Sequence, residues 1–346
     1  MGGNALKHVT TRRYHADEYQ QICQDVTEKL RQAFPHQRMA VIPSYQDKQD
    51  FGDMDLLFES TESVDWKSVL TQLFHSKEIV HNGTIWSFEF RAFQIDLILA
   101  PPQEFEPSLI YFSYNDLGNL MGRVAHKMGF KYGHQGLLLP LKYKDHLWAE
   151  PIVSREPSRI FQFLGYDFAR YQQWFTSLES IFDFVVNTPY FHKDIYLYHN
   201  RNSTSRIRDK KRPTYTKFLQ WLEQQTALPY SYTWSRKSEQ GGREYQEEFV
   251  QRAYQNFPEF IAQHQQIQQD LQQHIQFKAL FNGEKVREIT QLQDQELGRF
   301  MQHLIRDSVV ELGTPLKDWA LSHPDQVDTM ILNQYRQYMH KPPYHS

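Results

Sequence analysis

The sequence predicts an α+β protein in which the residues up to about Leu99 mix strands and helices and the carboxy-terminal half is mainly helical. Three observations carry this prediction. Apolar residues recur at three- and four-residue steps in some segments, as one buried helix face requires. Short apolar runs bounded by proline, glycine and polar clusters alternate with those segments, as strands do. From about His146 proline and glycine thin out, aromatics cluster over 161–184, and glutamine dominates 263–276.

Taken in order, Tyr19, Ile22, Cys23, Val26, Leu30 and Phe34 predict a helix over 17–34. Residues 39–42 predict a strand, stopped by Pro43 and a polar loop to Asp50, and residues 53–58 predict a second. Helical spacing returns over 66–74. The runs 85–90 and 93–99 predict two more strands, closed by Pro101 and Pro102. Phe260, Ile267, Leu271 and Ile275 make the glutamine-rich stretch an amphipathic helix, with Asn282-Gly283 ending it or a neighbour. Regions 1–145, 146–280 and 281–346 are expected as domains.

A chain of 346 residues can bury two or three cores. At 40% hydrophobic and 23% charged residues it falls outside the disordered and fibrous classes. Cys23, the single cysteine, excludes an intramolecular disulfide framework and reads as a buried thiol in a reducing compartment. No run is apolar enough for a signal peptide or membrane span, so a soluble, cytoplasmic protein without a membrane partner is expected. A net charge of −3 excludes a surface that is basic throughout, so any nucleic-acid contact must come from a local basic face.

The chemistry concentrates in Phe51-Gly52-Asp53-Met54-Asp55-Leu56-Leu57-Phe58. One residue separates the aspartates, so on a strand both carboxylates leave the same face while Met54 and Leu56 enter the core. Crowded like charges need a cation, and hard divalent ions such as Mg²⁺ prefer these oxygens. Asp96, in the otherwise apolar Phe93-Gln94-Ile95-Asp96-Leu97-Ile98-Leu99, needs a compensating partner too, and the same metals would serve. Two such ions suit in-line attack of a 3′-hydroxyl on an α-phosphate. Asp-x-Asp also occurs by chance at strand ends; Gly52, the serine-bearing loop and the third aspartate tip the reading toward a site.

At these residues the chain resembles the nucleotidyltransferase superfamily, specifically the palm of DNA polymerase beta and its family X relatives. The resemblance rests on Ser44, Gly52-Asp53-Met54-Asp55 and Ile95-Asp96 in that order, then on 111–123, Tyr-Phe-Ser-Tyr-Asn-Asp-Leu-Gly-Asn-Leu-Met-Gly-Arg. It covers about residues 39–142 and implies a palm with a mixed β-sheet, two Mg²⁺ ions on Asp53, Asp55 and Asp96, and a nucleoside triphosphate substrate. It further implies triphosphate contacts at Ser44 and Lys48 beside Gly52, sugar contacts at Tyr111 and Phe112, base contacts at Asp116 and Asn119, and a template contact at Arg123. Pro43 stands where the family has glycine, and Tyr114-Asn115 where it has Gly-Ser, so sugar discrimination is expected to differ. About forty residues precede the palm, too few for the family's lyase and DNA-binding domains, and gap-filling repair is therefore not implied.

Arg201, Arg206, Arg208, Lys210, Lys211 and Arg212 form a run with one acid, suited to phosphate contacts or to a solvated loop. Residues 283–290 and 297–301 faintly resemble the helical tail of tRNA nucleotidyltransferases; a helix, turn and helix with Gly298 at a close contact gives the same letters. Phe161, Phe163, Tyr166, Phe168, Tyr171, Trp174 and Phe175 read as core rather than a base-stacking platform. His126, His134, His192 and His199 lack zinc spacing. The expected activity is Mg²⁺-dependent nucleotide addition to a nucleic-acid 3′ end, with DNA favoured over RNA. The alternatives are a template-independent transferase acting on tRNA or a small molecule, and a catalytically silent nucleic-acid-binding module.

Overall fold

The apolar stripe near the start folds as helix α1 (Ala16–Ala33), entered from a two-residue strand β1 (Tyr14–His15), with Ile22, Val26 and Leu30 turned into the core. Then come β2 (Met39–Val41), β3 (Asp50–Phe51), β4 (Asp53–Glu59), α2 (Trp66–Phe74), β5 (Ile79–Asn82), β6 (Ile85–Phe90) and β7 (Phe93–Ala100). The protein is described by a computed structural model at residues 5–60, 63–225, 246–306 and 313–340, together with residues 228 and 234. It divides into two compact units, Met1–Ile261 and Ala262–Ser346.

In the first unit, five strands form a mixed sheet in the order β2-β4-β7-β6-β5. Only β4 and β7 run parallel; the other neighbours are antiparallel. Because side chains alternate, each central strand serves two faces. On one face Met54, Leu56 and Phe58 of β4 and Phe93, Ile95 and Leu97 of β7 pack with α1 and α2 in a single cluster. On the other, Leu57, Ile98 and Ala100 meet Ile42 and Phe105. Phe105 begins α3 (Phe105–Phe112), which is followed by α4 (Leu117–Lys127).

The chain continues through short strands β8 (Lys131–Gly133), β9 (Gly136–Leu138), β10 (Leu141–Tyr143), β11 (His146–Ala149) and β12 (Ile152–Ser154). Helices follow: α5 (Pro157–Phe163), α6 (Phe168–Gln172), α7 (Leu178–Val186), α8 (Ser203–Lys210), α9 (Pro213–Gln224) and α10 (Gln246–Asn256). One continuous buried cluster runs from Tyr114 to Phe260, so the packing has no break at the boundary expected near 145. The expected start of the helical half is also displaced, since β11 and β12 occupy 146–154 before the first helix.

The second unit holds nearly all of α11 (Phe260–Leu280), then α12 (Gly283–Thr290), α13 (Asp294–Arg306), α14 (Leu316–Ser322) and α15 (Val327–His340). Its core gathers Phe281, Val286, Phe300, Leu304, Val327 and Ile331. As expected, α11 stops just before Asn282-Gly283: the Asn282 side chain donates to Lys278 O at 3.0 Å at the end of α11 and accepts from the Lys285 amide at the start of α12. Gly298 has open space around it, so the close contact expected there is absent. No helix among the described residues is long and apolar enough to cross a membrane.

Candidate active site

The pairing of β4 with β7 sets the site. In the parallel register Asp55 stands opposite Asp96 and Asp53 opposite Gln94, so all four side chains share the face away from α1 and α2. One oxygen from each of Asp53, Asp55 and Asp96 lies within 4.8 Å of the others. Farther along the same face Leu57, Ile98 and Ala100 are covered by Phe105. The acids therefore occupy the uncovered end of a face that is otherwise sealed.

Crowding perturbs Asp55 and Asp96 in the direction that invites a cation. Burial, then the neighbouring Asp53 and Asp96 charges, raise the Asp55 carboxyl to about 7. Burial raises Asp96 to about 6, with Asp53 adding to the rise and hydrogen bonds from Ser87 and Gln94 opposing it. Gln94 Nε2 donates to both Asp96 oxygens, at 2.9 and 3.1 Å, and its own Oε1 accepts from the Ala5 amide at 3.0 Å. Gln94 thus fixes the rotamer of Asp96 from a buried position. The converging oxygens form a hard-donor set that could hold a divalent cation. Among the described residues this is the one group of three or more His, Cys, Asp or Glu with metal-ligand proximity.

A loop between β2 and β3 bounds the acids. Ile42 N donates to Asp55 O at 2.9 Å, which places Pro43 and the half-buried Ser44 next to β4. Lys48 lies with its ammonium 4.5 Å from the centre of the Phe51 ring. Its pKa is lowered by burial, against the pull of Asp53 and Asp55. Phe51 in turn stacks on Tyr19, rings 3.7 Å apart and 7° from parallel. Gly52 forms the bend between β3 and β4.

The segment expected to meet the nucleotide comes to the same loop, because Tyr114 N donates to Pro43 O at 2.7 Å. Tyr111 and Phe112 end α3, half-buried, their rings edge to face at 5.4 Å. Gly118 is required by this packing: a Cβ there would come within 2.2 Å of Tyr111 O. Asp116 pairs with Arg212, and Asn119 Oδ1 accepts from Arg123 at 3.2 Å.

The basic run is not a loop. Asn202 caps α8, whose Asp209 is fully buried and holds both Arg123 and Arg201 at 3.1 Å. Burial and the nearby Arg201 lower Arg123 to about 10, with Asp209 opposing. Arg123, Arg201 and Arg212 therefore engage acids inside the protein; Arg208 is exposed but also reaches Asp209 at 3.6 Å, while Lys210 and Lys211 are exposed and Arg206 is half-buried. Sequence reasoning did not find Gln94, Ser87, Tyr19 or the role of Asp209. Only Gln94 left a local signal, as a polar residue two before Asp96 on the same strand face. No family model matches the chain, and no curated protein matches it significantly.

Proposed function

We propose that the chain is a Mg²⁺-dependent nucleotidyltransferase with a DNA polymerase beta-like palm, adding nucleotides to a nucleic-acid 3′ end, with DNA favoured as acceptor. The observation that carries the reading is the Asp55–Asp96 register, with Asp53 completing a cluster within 4.8 Å. Asp53, Asp55 and Asp96 would hold two Mg²⁺ ions, which would supply charge neutralisation for the triphosphate and acidify the attacking hydroxyl. The protein's own groups do the rest. Lys48, beside Asp53 and Asp55, supplies positive charge for the phosphates, with Ser44 alongside as a hydroxyl donor. Gln94 and Ser87 orient Asp96, whose carboxylate takes the proton from the 3′-hydroxyl as the 3′-oxygen attacks the α-phosphorus and pyrophosphate leaves. Tyr111 and Phe112 line the sugar, and Asp116 and Asn119 lie toward the base. Exposed Arg208, Lys210 and Lys211, with Arg206, offer the acceptor backbone a basic surface; Arg123, Arg201 and Arg212 support it from within.

Primer extension with Mg²⁺ and each nucleotide, on templated and blunt DNA and on RNA, tests this. Incorporation by the wild type and its loss in Asp55→Asn is the expected result. Equal activity of the two proteins, or no incorporation on any acceptor, would sink the mechanism.

A further inference from the structure

Six of the seven aromatics of the 161–175 segment turn inward: Phe161, Phe163, Tyr166, Tyr171 and Phe175 are buried and Phe168 is partly so. Trp174 alone stands out, 56% exposed. A lone surface hydrophobe is ordinary, but this one is held against a conformational preference. Its φ is 68°, in the left-handed region that bulky residues avoid. The turn cannot relax freely, because the next two carbonyls are tied to the loop that carries Lys48. Phe175 O accepts from Gln46 N at 2.9 Å and Thr176 O from Asp47 N at 2.8 Å. Tyr114, itself at φ 58° and bonded through its amide to Pro43 O, sets its ring edge-on to Trp174 at 6.1 Å and to Phe175 at 4.8 Å. The exposed indole thus stands on a tied backbone where the Lys48 loop meets the turn that ends α3.

We propose that Trp174 is a stacking platform for a nucleobase. This rests on the nucleotide reading of the neighbouring site. The acidic triad and Lys48 provide for the phosphates, and the planar apolar part of the same ligand class is what an exposed indole recognises. The base belongs either to the incoming nucleoside triphosphate or to the acceptor's end.

Two binding arms distinguish these sources. Calorimetry compares a nucleoside triphosphate with inorganic tripolyphosphate; fluorescence anisotropy compares an oligothymidylate with an abasic oligomer of equal length. In at least one arm, Trp174→Ala should lose about 5- to 150-fold in affinity, the range of one base–aromatic stack, and fall to the level of the base-free probe. Trp174→Phe should retain most of the affinity. Trp174→Leu, which keeps bulk without a π-face, should behave as Ala, whereas a purely structural role would leave Leu and Phe alike. Unchanged affinity of Trp174→Ala in both arms, or wild-type binding that does not distinguish base-bearing from base-free probes, overturns the proposal. Base-dependent binding through Trp174 in a protein that extends no primer would refute the enzyme reading and leave this one standing.

Discussion

Replacing Asp55 by asparagine should stabilise the metal-free protein and at the same time abolish its stabilisation by magnesium. In the fold the Asp55 carboxyl sits at about 7, against an ordinary value of 3.8. Taken alone, a rise of that size is worth about 4 kcal/mol of penalty on the ionised form, at about 1.4 kcal/mol per pH unit. Part of the rise comes from the charges of Asp53 and Asp96, and Asp55 is only partly buried, so roughly half, ~2 kcal/mol, is the realistic gain from removing its charge. At about 2–4 °C per kcal/mol for a unit of this size, the melting temperature in EDTA at pH 8 should rise by roughly 4–8 °C. The sign follows from linkage. Below about pH 4 the carboxyl is protonated folded and unfolded, and carries no penalty. Between about pH 4 and 7 the unfolded carboxyl ionises while the folded one stays protonated, so stability falls across that window and levels off once the folded form ionises above 7. The wild type in EDTA should therefore melt lower at pH 8 than at pH 5, and Asp55→Asn should show a shallower slope. Adding Mg²⁺ should raise the wild-type melting temperature and leave the variant unmoved. A variant that melts below the wild type in EDTA at pH 8 would refute the argument that unneutralised carboxylates are crowded here.

Asp209→Ala leaves Arg123 and Arg201 as buried charges without their shared carboxylate, and urea denaturation should show a loss of about 3–5 kcal/mol; a change below about 1 kcal/mol would mean the network is solvated. Gly118→Ala drives a Cβ into the Tyr111 backbone, which no rotamer change relieves, so a loss of about 1–3 kcal/mol is expected in the same assay. Arg206→Ala and Lys211→Ala should each weaken DNA binding uniformly across sequences and flatten the log–log salt dependence by about one unit. Unchanged slopes in anisotropy titrations would assign that surface to solvent. Gln94→Leu frees Asp96 from its double hydrogen bond, so the concentration of Mg²⁺ needed for half-maximal thermal stabilisation should rise about 10-fold or more.

The helix over α1, the strands β4, β6 and β7, and the burial of Met54 and Leu56 were legible because each is set by periodicity within its own segment. The convergence of Asp96 on Asp53 and Asp55 had a weaker local basis. Composition gives three acids on strands; the parallel register that brings Asp96 beside Asp55 is a long-range fact, reached through family resemblance rather than spacing. Strand β5 was missed because Ile79-Val80-His81-Asn82 is too short for an alternating pattern and is held by pairing with β6. The basic run read as a loop or a phosphate-binding surface because its one acid looked like a minor exception. Asp209 instead pins Arg123 from eighty-six residues away, a contact no local window contains. Trp174 was hidden because the aromatics around it are core; its exposure and its left-handed φ, set by the turn in the folded chain, are what distinguish it.

The placement of the acids follows from how one sheet face is shared. Along β4 and β7 the side that faces α1 and α2 is apolar at every step, so the alternation commits Asp53, Asp55, Gln94 and Asp96 to the opposite side together. That side cannot be sealed throughout, because burying three carboxylates under a helix would leave charges unpaired. Phe105 at the start of α3 closes it over Leu57, Ile98 and Ala100, where the residues are apolar. The Ile42–Asp55 hydrogen bond then carries the Lys48 loop around the open end. Apolar residues at the carboxy-terminal ends of the two strands and acids at their amino-terminal ends are thus one design: the first anchors the helix that leads to Tyr111 and Asp116, and the second leaves a cation as the simplest means of neutralising the face.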